Sequence, residues 1–223
     1  MTKNISVRPV FPLIRHISRR VSALLIRLPI NANMVTTGSL LLGIGACWFL
    51  LQGTFGATLV GATLFVLCYI LDNADGEVAR AKNQCSVFGE KYDTFVDWFV
   101  HSALFASLGW GVTLQTEQSV WFWLGLMAAA GGTINYCVGI YLDHRDIDQQ
   151  NDPLTQDSEN VMPEGILQWS IYFFRELSRA DFCFIVLALA LFNEVWLLLP
   201  AGAIGAQVYW IAQFVSGVRG YHV

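Results

Sequence analysis

Charged side chains are scarce in this 223-residue chain: they make up 13% of it, against 55% hydrophobic residues. A soluble domain carries about 25% charged residues. The shortage excludes an ordinary soluble globular protein and, with a mean hydropathy of +0.49, points to an integral membrane protein. The length leaves no room for a second large domain. CxxC pairs are absent too. The five cysteines (Cys47, Cys68, Cys85, Cys137 and Cys183) sit singly, four of them in apolar runs, which reads as buried, reduced thiols packing as small hydrophobes. No internal repeat and no low-complexity tract is visible. The net charge of −4 says little by itself, and no nucleic acid is expected as a partner.

What is present is a series of six apolar stretches, roughly 34–52, 56–80, 90–114, 119–142, 180–196 and 198–218, near or above the ~20 residues a spanning helix needs. Asn193, Glu194 and Pro200 mark the turn between the last two. With both termini on one side, all 13 Lys and Arg, from Lys3 to Arg219, fall on that side or at its membrane boundary. The opposite loops lack basic residues and hold Glu117 and Glu194. Basic loops are cytoplasmic, so both termini are expected in the cytoplasm. Before the first span, Arg15, Arg19 and Arg20 cluster while Ile14, Ile17, Val21, Leu24, Leu25 and Leu28 recur at helical spacing, as in a helix lying in the interface. An ordinary basic flank gives the same topology. A cleaved signal peptide is not expected, because arginines interrupt the apolar core and no small-residue cleavage site follows. The expected organisation is an interfacial amphipathic segment over 1–30 and an all-α membrane domain of six transmembrane helices over 31–223. A polar cytoplasmic loop follows Asp143, and "PEGILQWSIYFFREL" reads as a second interfacial helix.

The stretch "LDNADGEVARAKNQCSVFGEKYDTFVDWFVH" departs from this apolar background. On the second spanning helix Asp72, Asp75 and Ala79 lie within about 60° of one another. On the third, Gly89, Asp93 and Asp97 follow each other at four-residue intervals. A hairpin through "AKNQCSV" would let the four carboxylates converge. Even one anion at mid-membrane costs about 2.5–3.5 kcal/mol, and Arg80 and Lys91 cannot offset four. An all-oxygen set without Cys or His suits Mg²⁺, Mn²⁺ or Ca²⁺ rather than Zn²⁺. Two such ions would clamp phosphoryl oxygens, Gly76 and Gly89 would let a ligand approach the backbone, and Arg80 offers a fork for phosphate.

The pattern Asp72-x-x-Asp75-Gly76-x-x-Ala79-Arg80, eight residues, then Gly89-x-x-x-Asp93-x-x-x-Asp97 resembles the signature of the CDP-alcohol phosphotransferase family at every defined position. "NANMVTTGSLLLG", with Asn33, Thr36 and Gly43, looks like the family's opening of the first membrane helix. The resemblance implies a six-helix membrane enzyme, often a homodimer, with its site open to the cytoplasm. It implies two Mg²⁺ or Mn²⁺ ions on Asp72, Asp75, Asp93 and Asp97, and a CDP-alcohol site bordered by Asn33, Thr36, Asp72, Gly76, Ala79, Arg80, Ser86 and Gly89. Asp97 would be the base that takes the proton from an acceptor hydroxyl attacking the β-phosphorus, with CMP as leaving group. CDP-diacylglycerol is the leading donor. The acceptor is expected among inositol, inositol phosphate or glycerol phosphate, contacted by Arg145, Arg175, Arg179 and Asp181. Compact size and short loops favour a prokaryotic inner membrane. Two rivals predict other patterns. A cation transporter would spread acidic residues along the membrane depth, whereas these cluster at one end. A non-catalytic membrane subunit would carry a broken signature, whereas this one is intact.

Overall fold

The computed structural model describes residues 13–147 and 181–219. Helix α1 spans Leu13–Leu25, α2 Ala32–Leu50, α3 Phe55–Ala81, α4 Val87–Thr116 and α5 Val120–Ile147. After the undescribed stretch come α6 (Phe182–Leu191), a 3₁₀ turn (Val195–Leu197) and α7 (Leu198–Arg219). No strand occurs among the described residues. Three helices there are long and apolar enough to cross a membrane, at Ala32–Leu50, Phe55–Ala81 and Val120–Leu142. Helix α4 has the length, 30 residues, but Glu90, Lys91, Asp93 and Asp97 interrupt its apolar character. The fifth expected stretch is cut short, because α6 has only 10 residues and the chain turns at Asn193, whose φ is 59°. Pro200 is not part of that break. It lies in the first turn of α7, where a missing N–H leaves no intrahelical bond unmade.

Local chemistry accounts for the helix starts. The Asn31 side chain accepts from Met34 N at 2.9 Å, and Ser86 Oγ accepts from Gly89 N at 3.1 Å; both act as N-caps. Helix α3 ends where Asn83 takes a left-handed φ of 55° and Gln84 N donates back to Ala79 O at 2.8 Å. Asn tolerates that conformation better than most residues.

Helix α2 packs along both α3 and α4, α5 packs on α4 and α7, and α1 and α6 pack on α3. The interior holds Leu50, Phe65, Leu104, Val186 and Leu199. Trp48, Leu67, Trp110, Trp123 and Ile204 stand on the outer surface, as suits a bundle surrounded by acyl chains. Cys47, Cys68 and Cys183 are buried free thiols, but Cys137 is exposed, as is Cys85. The expectation of burial fails at Cys137 because an apolar run on a membrane helix faces lipid as well as protein.

Helix α1 leans on α3 through Ile14, Ser18 and Ser22, while Arg15, Arg19 and Arg20 stay exposed. Two polar ties fix its ends. Asp181, at the start of α6 and fully buried, accepts from Leu13 N at 2.8 Å and Ile14 N at 2.9 Å. Lys82 Nζ donates to Leu28 O at 2.7 Å and Ile30 O at 2.6 Å, beyond the other end of α1. The second interfacial helix and most of the polar loop expected from sequence lie outside the described residues. Asp181→Ala orphans two backbone donors and lowers stability by about 1–3 kcal/mol, read as thermal unfolding in detergent. Asp181→Asn, which keeps one acceptor oxygen, loses less.

Candidate active site

The acidic ladders sit at one end of the bundle. Asp72, Asp75, Gly76, Ala79 and Arg80 occupy the C-terminal turns of α3, and Gly89, Asp93 and Asp97 the N-terminal half of α4. A short loop joins those ends, yet α3 and α4 do not pack closely on each other. Helix α2 wedges between them. Gly43 of α2 leaves space for Val100 of α4, whose Cγ1 would lie 2.9 Å from a Cβ at that position. The result is a cleft lined by Cys68, Tyr69 and Asp72 on one wall and Val96, Asp97, Val100 and His101 on the other.

The four carboxylates lie within electrostatic reach of one another. Asp72 interacts with Asp97, Asp93 and Asp75, and Asp93 with Asp75 and Asp97. They do not form a closed cage: among the described residues no three His, Cys, Asp or Glu side chains are gathered tightly enough to hold an ion. Each carboxylate is held differently. Asp75, only 5% exposed, accepts from Thr36 Oγ1 at 2.5 Å through Oδ2. Asp93 keeps a buried Oδ1 with no hydrogen-bond partner. Asp97 is 60% exposed and bonds through Oδ1 to His101 Nδ1 at 3.0 Å. An all-oxygen set with one buried acceptor left open has the donor chemistry that suits a hard divalent cation.

Beside this cleft, a cavity of about 280 Å³ is lined by Asn31, Ala32, Asn33 and Gln84. A Cβ on Gly89 would sit 3.2 Å from both Asn33 Oδ1 and Ser86 Oγ. Asn33, Ser86 and Gly89 therefore lie together. Arg80 is exposed, and its Nη1 would lie 3.4 Å from a Cβ on Gly76, while Ala79 is half-buried beside it. Thr36 is not in the cavity wall. It is buried, and its hydroxyl is spent on Asp75 and on Ala32 O. Arg145 lies in the last turn of α5, and Arg175 and Arg179 lie outside the described residues. Both oxygens of Asp181 are used by α1, a structural task rather than the acceptor contact expected of it.

Sequence reasoning passed over Tyr69 and His101. Both continue the ladders by about one turn, at three residues before Asp72 and four after Asp97, and that spacing was the available signal.

A profile described as CDP-alcohol phosphatidyltransferase matches residues 29–151, more than half of the chain. The chain belongs to this family. Family members are transferases of phosphorus-containing groups and in general use divalent metal ions. A curated relative, the bifunctional IPC transferase and DIPP synthase of Thermococcus kodakarensis, is 33% identical over 120 residues, which is 54% of this chain and 26% of that protein. The chain thus matches about a quarter of the length of that relative. Among solved structures, phosphatidylinositol phosphate synthase of Mycobacterium tuberculosis with CDP-DAG bound superposes with a TM-score of 0.55 at 18% identity, covering 89% of this chain and 94% of that one. That likeness establishes the shared fold. The apolar helices and the family membership mark this chain as a membrane protein.

Thr36→Val keeps the shape but removes the donor to buried Asp75, and lowers stability by about 1–3 kcal/mol. Thr36→Ser retains the hydroxyl and most of that stability; paired thermal melts in detergent check both.

Proposed function

We propose that this protein transfers a substituted phosphoryl group, the phosphatidyl group of CDP-diacylglycerol, to the hydroxyl of a polar alcohol of the inositol phosphate or glycerol phosphate type. CMP is released. The observation that carries the reading is the α3–α4 cleft, with Asp72 and Asp97 on opposite walls and a buried, unpartnered Asp93 oxygen nearby.

Asp72, Asp75, Asp93 and Asp97 would hold two Mg²⁺ or Mn²⁺ ions, which when bound offset the charge of the pyrophosphate. Asn33, Gly76, Ala79, Arg80, Ser86 and Gly89 border the CDP moiety, and the cavity at Asn31 and Gln84 gives the nucleotide room. Thr36 acts at one remove, by holding Asp75. The exposed Asp97 carboxylate takes the proton from the acceptor hydroxyl as the new O–P bond forms at the β-phosphorus. The bond from that phosphorus to the bridging oxygen breaks, and CMP leaves with that oxygen.

The donor is supported by the CDP-DAG bound in the structural neighbour, and an inositol phosphate acceptor by that protein's name. Arg145, Arg175 and Arg179 are the proposed contacts for an acceptor phosphate. The reading also includes six spans, a homodimer, cytoplasmic termini and site, and a prokaryotic inner membrane.

Purified protein in detergent with CDP-diacylglycerol and Mg²⁺ releases CMP when inositol phosphate or glycerol phosphate is added. Mass analysis of the lipid product names the acceptor. EDTA stops the reaction and Mn²⁺ restores it; turnover indifferent to chelator would remove the metals from this reading. Asp97→Asn lowers kcat by about 10²–10⁴-fold and leaves CDP-diacylglycerol binding in place, as measured by a direct binding assay beside CMP release.

A further inference from the structure

His101 lies one turn beyond Asp97 on α4, at the floor of the cleft, and both of its ring nitrogens are engaged. Nδ1 is 3.0 Å from Asp97 Oδ1 and 2.8 Å from the Asp97 carbonyl oxygen. Nε2 is 2.5 Å from the Tyr69 hydroxyl of α3. A carbonyl oxygen can only accept, so Nδ1 carries the hydrogen. Nε2 and the Tyr69 hydroxyl share the hydrogen bond on the other side of the ring. The result is a hydrogen-bonded chain linking Tyr69, His101 and Asp97.

The imidazole has little freedom to turn away. Phe65 meets it edge-on at 5.9 Å between centroids, Tyr69 at 5.5 Å, and Phe182 of α6 lies at 6.2 Å. Phe182 directly follows Asp181, whose carboxylate fixes the start of α6 against α1. Packing alone would be satisfied by any ring of this size. The polar contacts at both nitrogens would not.

Asp97 needs such support more than its neighbours do. Its side chain is 60% exposed, so packing restrains it less than Asp75, which is buried and held by Thr36. We infer that His101, backed by Tyr69, is a positioning residue that pins Oδ1 of Asp97 and so fixes the carboxylate in the geometry for proton transfer. The inference rests on the proposed function, since it assigns His101 a task in that reaction. It adds a side-chain pair outside the acidic signature and links the two walls of the cleft below the carboxylates.

The test compares kcat and KM for CDP-diacylglycerol, from CMP release by purified protein in detergent, across variants at the two positions. His101→Phe keeps the ring and its packing but offers no N–H. It lowers kcat by about 10–100-fold with KM within about 3-fold. His101→Asn places an amide N–H near the position of Nδ1 and recovers most of kcat. Tyr69→Phe, which removes only the hydroxyl, lowers kcat by about 3–10-fold. An unchanged kcat in His101→Phe overturns the proposal, and so does a rise in KM that accounts for the whole loss. If the His101 variants do not survive purification, Tyr69→Phe decides, and full activity there overturns it. Wild-type protein that releases no CMP with any polar alcohol defeats the proposed reaction itself. An active wild type with an equally active His101→Phe defeats the positioning role alone.

Discussion

Because α2 packs along both α3 and α4, the two helices that carry the carboxylates stay apart after the short loop that joins them. Without that wedge the pair would close into a tight hairpin, and four like charges would be pressed together in a poorly hydrated setting. With it, Asp72 and Asp97 stand on opposite walls of a cleft, with Asp75 and Asp93 within electrostatic reach. Small residues make the wedge possible. Gly43 admits Val100 of α4, and Thr36 reaches Asp75 across the α2–α3 contact.

The same logic governs polar groups elsewhere in this apolar bundle. A buried acceptor or donor left alone costs more than a made hydrogen bond returns, so buried Asp181 and half-buried Lys82 each have fixed backbone partners. Asp181 takes two backbone N–H groups of α1, and Lys82 takes carbonyl oxygens of the segment that follows it. These ties set where α1 lies against α3 and where α6 begins. Asp93 Oδ1 breaks the rule among the described residues, along with Ser102, Trp121 and Asn135 atoms. Of these, only Asp93 belongs to the acidic ladder, and a cation is the partner its chemistry calls for.

Hydropathy and spacing made the helices and the ladders legible in advance. Five of the six apolar stretches reappear as helices, α2 to α5 and α7, with modest shifts at their ends, and the 72–75 and 93–97 spacing does place the carboxylates at one end of the bundle. Both signals are local: a span is a property of some 20 consecutive residues, and a ladder of three or four. What stayed hidden depends on contacts between residues far apart in the chain. Asp181 meets Leu13 across a separation of 168 positions, and no periodicity reports that. Thr36 was legible as part of a nucleotide-facing motif, but its rotation inward to Asp75 follows from how α2 sits on α3. The shortness of α6 was equally hidden, since its apolar run continues past the turn at Asn193.

The depth of each group in the bundle then divides the labour of the site. Helix rise is about 1.5 Å per residue, so Tyr69 and His101 lie roughly 4–6 Å deeper than Asp72 and Asp97. Polar groups become more costly with depth, and this deeper pair keeps its hydrogen bonds internal. Tyr69 and His101 satisfy each other, and Phe65 and Phe182 cover the imidazole. The carboxylates, proposed to exchange ligands and protons, sit nearer the helix ends, where Asp97 remains open. Beyond them Arg80 and Asn33 stand where a charged, water-soluble headgroup can enter. The proposed donor, with a polar nucleotide and apolar tails, would match that gradient in both directions: its tails would follow the exposed apolar flanks of α3 and α4, such as Leu67 and Phe95, and its pyrophosphate would stop at the level of the aspartates.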